Sequence, residues 1–395
     1  HPEYSNYLQR GYFLKRSDGS ELVFEWDTGK KTTPFGPTLT PLPPSGLVDF
    51  TNPAAYAWWR DSHRALWAVG VDTIKSDFGE QVPADALAHN GDTGARVHNV
   101  NAHLYNRCVY EASLEAHGDE ACVWGRAGWI GSQRHPLQWG GDPQSDWEGL
   151  AASLRAGMNH GHSGSPFHAT DVGGFYGATQ PEPALYLRWV QAAIFASHFR
   201  IHGIGPREPW AFGAEVERIA REFFEIRYKL LPYLRGACDL AVKIGLPVMR
   251  SMALSHPDDR VARAFETQFY CGPHLLVMPV LNRDGDVEGY LPEHDGGWYD
   301  LWSGMHVDGG EVVSLNYDLE RIPVFVKAGV ALPIGPVVQS TRPLEGLTPV
   351  VAVAEFGHAA KSGYAICARG DALKRDGQYW RSYGQRVGHV RRFAE

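Results

Sequence analysis

The sequence predicts an α/β chain: a (β/α)8 TIM-barrel domain followed by an all-β sandwich domain. Three observations predict it. Short apolar runs stop abruptly in charged or glycine-rich clusters, as at Val71–Glu80 and Leu137–Asp142. Helical patterns separate most of these runs, the alternation expected of βα units. Beyond about residue 245 the helices give way to short strands joined by turns.

The elements follow in order. Gly11–Lys15 and Glu21–Glu25 read as two short strands around the turn Asp18-Gly19-Ser20. A loop carrying Pro34, Pro37, Pro41, Pro43 and Pro44 follows, a flap or a linker. Asn52 can cap a helix with Pro53 at its first position, running to Gly70. After the strand at Val71–Ile74 comes a helix from about Asn99 to His117, closed by Gly118. Strands at Ala121–Trp124 and Leu137–Trp139 precede a helix from Trp147 to about Met158, capped by Asp146. The segment Gly164–Asp171, a helix from Pro183 to about Ala196, and Phe199–His202 complete five strand ends. A long helical stretch from about Ala214 to Lys243 should break near Leu231, because Pro232 lies inside it. Leu275–Val280, Val287–Leu291 and Arg321–Val326 then read as sandwich strands, and residues from about 340 onward as a poorly patterned tail.

The chemistry sits at the strand ends. The run at Val71–Ile74 breaks into Lys75, Asp77 and Glu80, charges that a strand core would not tolerate unpaired. In a barrel this marks the end that displays catalytic side chains, although a strand merely surfacing into a loop reads the same way. A second carboxylate, Asp142, ends the run containing Trp139. Two such carboxylates are the minimum equipment for glycoside hydrolysis: one ionised, one holding a proton. A cation beside Asp77 favours its charged form, so Asp77 suits the nucleophile; Asp142, set among Trp139 and glycine backbone, suits the acid/base. Arg126, Asp171 and His202 each end a strand, where they can bind a carboxylate or sugar hydroxyls.

Lys75–Glu80, Arg126, Trp139-Gly140-Gly141-Asp142, Asp171–Phe175 and His198–Gly203 stand in the order found in glycoside hydrolase family 31, which the chain resembles from about residue 45 to about 335. It is most similar to the α-xylosidase branch, where the nucleophile motif reads Lys-x-Asp-Phe-Gly-Glu; the α-glucosidase branch usually carries Asp-Met-Asn there. The resemblance implies retaining hydrolysis of an α-glycoside, most simply an α-xyloside, with Asp77 and Asp142 as above. It adds Lys75, Phe78 and Phe175 as pocket walls, and Glu80 and Trp139 join the substrate-binding candidates as members of the two motifs. The family's xylosidases tend to carry Trp-Ser-His before the Asp171 position, where this chain reads His168-Ala169-Thr170. That leaves α-glucosidase, α-galactosidase and transglycosylase readings beside the first, with a non-catalytic remnant as a reading of another class. No cofactor or metal is implied.

The resemblance makes the five strands the fourth to eighth of the barrel and places the family's N-terminal β-sandwich and first three barrel strands outside this sequence. The chain therefore reads as a fragment: a partial barrel with an N-terminal insertion over 1–245, a sandwich over 246–338, and the start of a second β domain or a tail over 339–395.

Composition agrees with a globular chain: 395 residues, 44% apolar, 21% charged. A net charge of −8 argues against nucleic acid or an anionic membrane as partner; the resemblance implies an oligosaccharide or α-glycoside substrate, and homo-oligomerisation stays open. Five widely spaced cysteines without a Cys-x-x-Cys pair suit a reducing compartment, which favours the cytoplasm. His1-Pro2-Glu3-Tyr4 has neither an initiating Met nor a signal-peptide core, so the chain reads as beginning mid-protein. Three leads are set aside. Asp77-Phe78-Gly79 lacks the other kinase motifs. His160, His162 and His168 lack a recognised ligand spacing. Asp284-Gly285-Asp286 lacks the acidic residue that closes a calcium loop and reads as a hairpin turn.

Overall fold

The computed structural model describes residues 3–24, 44–135, 137–177, 180–359 and 363–393. Two compact units divide the chain, residues 1–141 and 142–395. Glu25 and the loop with Pro34, Pro37, Pro41 and Pro43 lie outside the described residues.

The first unit opens with helix α1 (Tyr4–Gln9) and strands β1 (Lys15–Arg16), β2 (Val23–Phe24) and β3 (Ser45–Gly46). Helices α2 (Pro53–Ser62) and α3 (Arg64–Ala68) follow. The cap forms as expected, with Asn52 Oδ1 accepting from the Ala54 N–H at 2.9 Å. One helix to Gly70 was expected; the chain instead breaks at His63, whose Nδ1 lies 2.8 Å from the Trp59 carbonyl. Next come β4 (Ile74–Ser76), β5 (Ala86–Leu87), the long helix α4 (Gly94–His117), β6 (Val123–Gly125) and β7 (Leu137–Trp139). Helix α4 begins five residues before the expected start at Asn99, at a glycine that a propensity reading counts against a helix. Gly94 is needed there because a Cβ would meet the Pro83 carbonyl oxygen at 1.9 Å.

Strands β4, β6 and β7 are parallel neighbours, with Ile74 opposite Val123 and Trp124 opposite Leu137. Among the described residues the other edge of β4 carries no strand. Among the described residues the N-terminal segment does not extend this sheet. It pairs β1 with β5, and Leu14 and Leu22 pack with Val82, Ala86, Ala88 and Val97 in a small core of their own.

Helix α4 is the scaffold of this unit. Its buried Asn106 accepts from Ser76 Oγ at 2.6 Å and donates to the Ala127 carbonyl at 2.6 Å. One amide thus fixes the end of β4 and the loop leaving β6. Gly125 makes this possible, since a Cβ there would fall 2.8 Å from the Asn106 amide.

In the second unit, helix α5 (Trp147–His162) starts at its expected cap, Asp146 Oδ1 accepting from the Gly149 N–H at 2.7 Å. It runs a turn past the expected end at Met158. The predicted strand over Gly164–Asp171 is two short ones, β8 (Phe167–Ala169) and β9 (Asp171–Val172). Helix α6 (Pro183–Ala193) is buried on almost every side and leads to β10 (Arg200–Ile201), which pairs parallel with β9. The long helical stretch is α7 (Ala214–Lys229) and α8 (Leu231–Ile244), broken at Leu230 beside Pro232. Proline has no N–H to continue the ladder, and its ring collides with the carbonyl of Tyr228. Arg227 holds the turn after α6 through the carbonyls of Ile194 and Ser197.

The sandwich contains β11 (Met249–Ser251), short helix α9 (Met252–Ser255), β12 (Phe269–Cys271), β13 (Leu275–Val277), β14 (Asp286–Leu291), β15 (Trp298–Asp300), β16 (His306–Val307), β17 (Glu311–Asn316) and β18 (Val324–Lys327). One antiparallel sheet runs β11-β12-β13-β18-β15-β16, and β14 pairs with β17. Tyr270, Leu276, Leu291, Trp298 and Phe325 fill its core. The buried Arg188 of α6 donates to the carbonyls of Tyr317, Asp318 and Arg321 and so ties helix to sandwich.

The segment read as the start of a second β domain or a poorly patterned tail is folded into strands. Strands β19 (Val330–Ile334), β20 (Ala352–Phe356), β21 (Ala365–Ile366) and β25 (His389–Phe393) form one sheet, and β22 (Lys374–Asp376), β23 (Tyr379–Ser382) and β24 (Gln385–Arg386) a meander. Val353, Leu373, Trp380 and Val387 are its core. Its strands are too short and too charged to show alternation clearly. Among the described residues no helix is long and apolar enough to cross a membrane.

Replacing Asn106 by Ala should cost about 2–3 kcal/mol, because it strands the Ala127 carbonyl and the Ser76 hydroxyl in a buried site. Urea unfolding monitored by fluorescence checks this. A change under about 0.5 kcal/mol would show that the bracket contributes little.

Candidate active site

The first unit gathers a charged cluster at the C-terminal end of β4. Lys75 Nζ bonds Asp77 Oδ2 at 2.9 Å, and Arg126 Nη1 bonds the other oxygen, Oδ1, at 3.2 Å. The Phe78 N–H also donates to Asp77 Oδ1 at 2.9 Å. Arg126 reaches on through Nη2 to Glu80 Oε1 at 2.8 Å. Half-burial alone would push the Asp77 carboxyl up. The hydrogen bond and charge of Lys75, the Phe78 amide and the charge of Arg126 together outweigh it, so the carboxyl stays below the usual range.

The sequence builds this cluster locally. Phe78 has φ +60°, a conformation that costs a non-glycine residue energy and that is followed by Gly79 at φ +99°. The turn brings Glu80 back toward Arg126 rather than onward along the strand. Helix α4 holds it from below: Asn101 Nδ2 donates to the Gly79 carbonyl at 3.1 Å. The Arg126 guanidinium lies 5.0 Å from the Phe78 ring centre, and Lys75 Nζ lies 4.0 Å above the buried Trp139 ring. Lys75, Asp77, Phe78, Glu80, Arg126 and Trp139 therefore form one contiguous group.

The second unit carries the remaining candidates. Asp142 leads into a loop whose Pro143 carbonyl accepts from the Phe175 N–H at 2.7 Å. The Phe175 ring lies 5.5 Å from the His202 ring, and the Phe175 carbonyl accepts from the Ile204 N–H at 2.9 Å. Asp142's loop, Phe175 and His202 are thus sewn together by backbone. Asp171 has no exposed surface, and its Oδ1 takes a bond of 2.6 Å from Arg200 Nε. His202 is exposed and lines a cavity of about 380 Å³ with Ile201, Arg207, Trp210 and Phe224.

Sequence reasoning missed three supports. Arg200 lies inside a motif already singled out but was not picked, although a cation next to a buried carboxylate on the neighbouring strand was the available signal. Arg207 is buried and donates to the Gly174 carbonyl at 2.9 Å and to Ser145 Oγ at 3.0 Å, clamping the two loops. Asn106 gave only the weak signal of an amide within a helix. The histidines set aside are occupied elsewhere: His168 is buried against Gly157, and His162 Nε2 lies 2.6 Å from Ser251 Oγ.

Residues 1–237 match the family model described as Glycosyl hydrolases family 31 TIM-barrel domain, and residues 245–332 that of the Glycosyl hydrolase family 31 C-terminal domain. The chain belongs to glycoside hydrolase family 31. An Emericella nidulans α-xylosidase is 35% identical over 87% of this chain and 43% of its own length. Alpha-glucosidase 2 of Bacillus thermoamyloliquefaciens is 33% identical over 86% of this chain and 44% of its own. Among solved structures, a family 31 dextranase of Flavobacterium johnsoniae complexed with glucose superposes with a TM-score of 0.79 at 29% identity, over 90% of this chain and 44% of that one. The chain spans less than half the length of these relatives. The barrel-then-β order expected from the sequence is the order of the two family 31 domains.

Lys75→Met should move the Asp77 titration upward, since the first of the groups lowering it is lost while its burial remains. Carboxyl carbon NMR of Asp-labelled protein reads this directly. An unmoved titration would show that Lys75 does not set the charge of Asp77.

Proposed function

We propose that the chain carries the catalytic residues of a retaining α-glycosidase, with α-xylosides as its first substrate class. Asp77 attacks the anomeric carbon while Asp142 protonates the leaving oxygen; water then releases the glycosyl-enzyme with Asp142 as base. One observation carries the reading: a carboxylate at a barrel strand end, held ionised by Lys75, Arg126 and a backbone N–H. A nucleophile must be charged before substrate arrives, and this arrangement keeps it so.

The surrounding groups take supporting roles. Glu80 has one oxygen on Arg126, while its Oε2 is buried with no hydrogen-bond partner among the described residues, an acceptor suited to a sugar hydroxyl. Trp139 and Phe78 supply apolar walls, and Lys75 stands between the Trp139 face and Asp77. In the second unit Phe175 and His202 supply a ring face and a hydroxyl partner. Asp171 acts with Arg200, to which it is bonded.

The α-xylosidase relative and the Lys-x-Asp-Phe-Gly-Glu motif support xylose. His168-Ala169-Thr170 and the α-glucosidase relative support a second reading, glucose, with the same two carboxylates. All five cysteines are free thiols, which supports a reducing, cytoplasmic setting.

Hydrolysis of p-nitrophenyl α-xyloside against α-glucoside by the purified chain separates the two sugars. Asp77→Ala should lower turnover by at least about 10³-fold, with partial rescue by azide or formate occupying the vacated space. Full activity in that variant removes Asp77 from the nucleophile role. Asp142→Ala should slow substrates with poor leaving groups far more than activated aryl glycosides, which scarcely need a proton. Equal losses on both would make Asp142 a structural residue only.

A further inference from the structure

We propose that Trp129 and Ile130 form the aglycone-side subsite, a platform on which the neutral sugar ring beyond the cleaved bond stacks. The proposal rests on the glycosidase reading above and names the part of the substrate that reading leaves unassigned. Strand β6 ends at Gly125, and the next residue, Arg126, bonds the Asp77 carboxylate. Trp129 follows three residues later, so its Cα lies within roughly 11 Å of that of Arg126. The loop that carries Trp129 thus leaves the strand end whose Arg126 is bonded to the candidate nucleophile.

The corner is built to hold still. Ser132 Oγ accepts from the Trp129 N–H at 3.0 Å, and the Ser132 N–H donates back to the Trp129 carbonyl at 2.9 Å. Gln133 Oε1 accepts from the Gly131 N–H at 2.9 Å, and the His135 N–H donates to the Ser132 carbonyl at 2.8 Å. Gly131 takes φ +103° over the His103 ring, so close that a Cβ would lie 3.0 Å from it. His103 stacks in turn on His135, with ring centres 5.6 Å apart. Gly128 presses on Gln138, where a Cβ would fall 2.2 Å from the side-chain nitrogen. Ser132 and His135 of this loop are buried, and Gly128 and Gly131 press against the groups beneath it.

The large apolar residues do the opposite. Trp129 is 46% exposed and Ile130 is 80% exposed. Burying an indole is worth several times what burying a serine is, so a loop folded for stability alone would turn Trp129 under and Ser132 out. This loop buries Ser132 and presents Trp129 at the strand end that carries the chemistry. A rigid indole face also loses little entropy when it binds a flat ring. The exposed Gln133 and Arg134 stand beside it as hydrogen-bonding groups for hydroxyls.

The test compares wild type, Trp129→Ala and Trp129→Phe, each checked for an unchanged melting transition. Substrates are the α-glycosyl fluoride of the preferred sugar, whose leaving group has no ring, and an oligosaccharide carrying the same sugar. Trp129→Ala should raise KM on the oligosaccharide about tenfold and leave the fluoride within about twofold; Trp129→Phe should recover most of the loss. Calorimetric titration with cellotetraose and maltotetraose should show one of them binding wild type and not Trp129→Ala. An unchanged oligosaccharide KM, an equal loss on the fluoride, or no binding of either tetraose to wild type overturns the proposal. Trp129-dependent tetraose binding by a chain that cleaves neither substrate would retain the subsite and refute the glycosidase reading.

Discussion

The first unit depends on one guanidinium. Arg126 is a short ion-pair hub: one arm on Asp77, the other on Glu80, with the Phe78 ring 5.0 Å from its centre. Lys75 on one Asp77 oxygen, with the Phe78 N–H and Arg126 on the other, outweighs burial and holds that carboxyl below its usual range. These groups are partly exposed, so their worth lies less in stability than in fixing charge and direction.

That geometry has a conformational cost that the fold meets elsewhere. Phe78 sits at φ +60° without the freedom of glycine, directly after Asp77. Strain of this kind persists only when neighbours over-determine the turn. Here Asn101 bonds the Gly79 carbonyl, Tyr105 closes the space under Gly79, and Asn106 pins the strand just before it. All three lie on α4, Asn101 and Tyr105 about one turn apart on one face and Asn106 next to Tyr105, so a single helix supports the whole turn.

The parts legible in the sequence were those with a local cause. Asn52 before Pro53, Asp146 at the head of α5 and Pro232 inside the long helical stretch each act within one turn of chain, and each element starts or breaks there. The abrupt change from β-branched residues to Lys75, Asp77 and Glu80 marked the strand end for the same reason. What the sequence hid was non-local. Gly94 looks like a helix breaker until Pro83 is packed against it. The N-terminal strands could not be placed until Leu14 and Leu22 found Val82 and Val97. The last 60 or so residues show little alternation, yet they share a core around Trp380 assembled from strands far apart in the chain.

The site divides along the same line. Lys75, Asp77, Phe78 and Glu80 lie in one hexapeptide, so their grouping was nearly guaranteed by the strand end alone. Arg126 joins them from another strand, and only its place at the end of the adjacent β6 makes that possible. In the second unit the groups that orient the loops are again arginines: Arg200 on Asp171, and Arg207 on Gly174 and Ser145. A planar donor fork can satisfy several acceptors at fixed angles, which a lysine cannot. Sequence reading tends to pass over such residues, because an arginine is ordinarily a surface residue until its acceptors are placed around it.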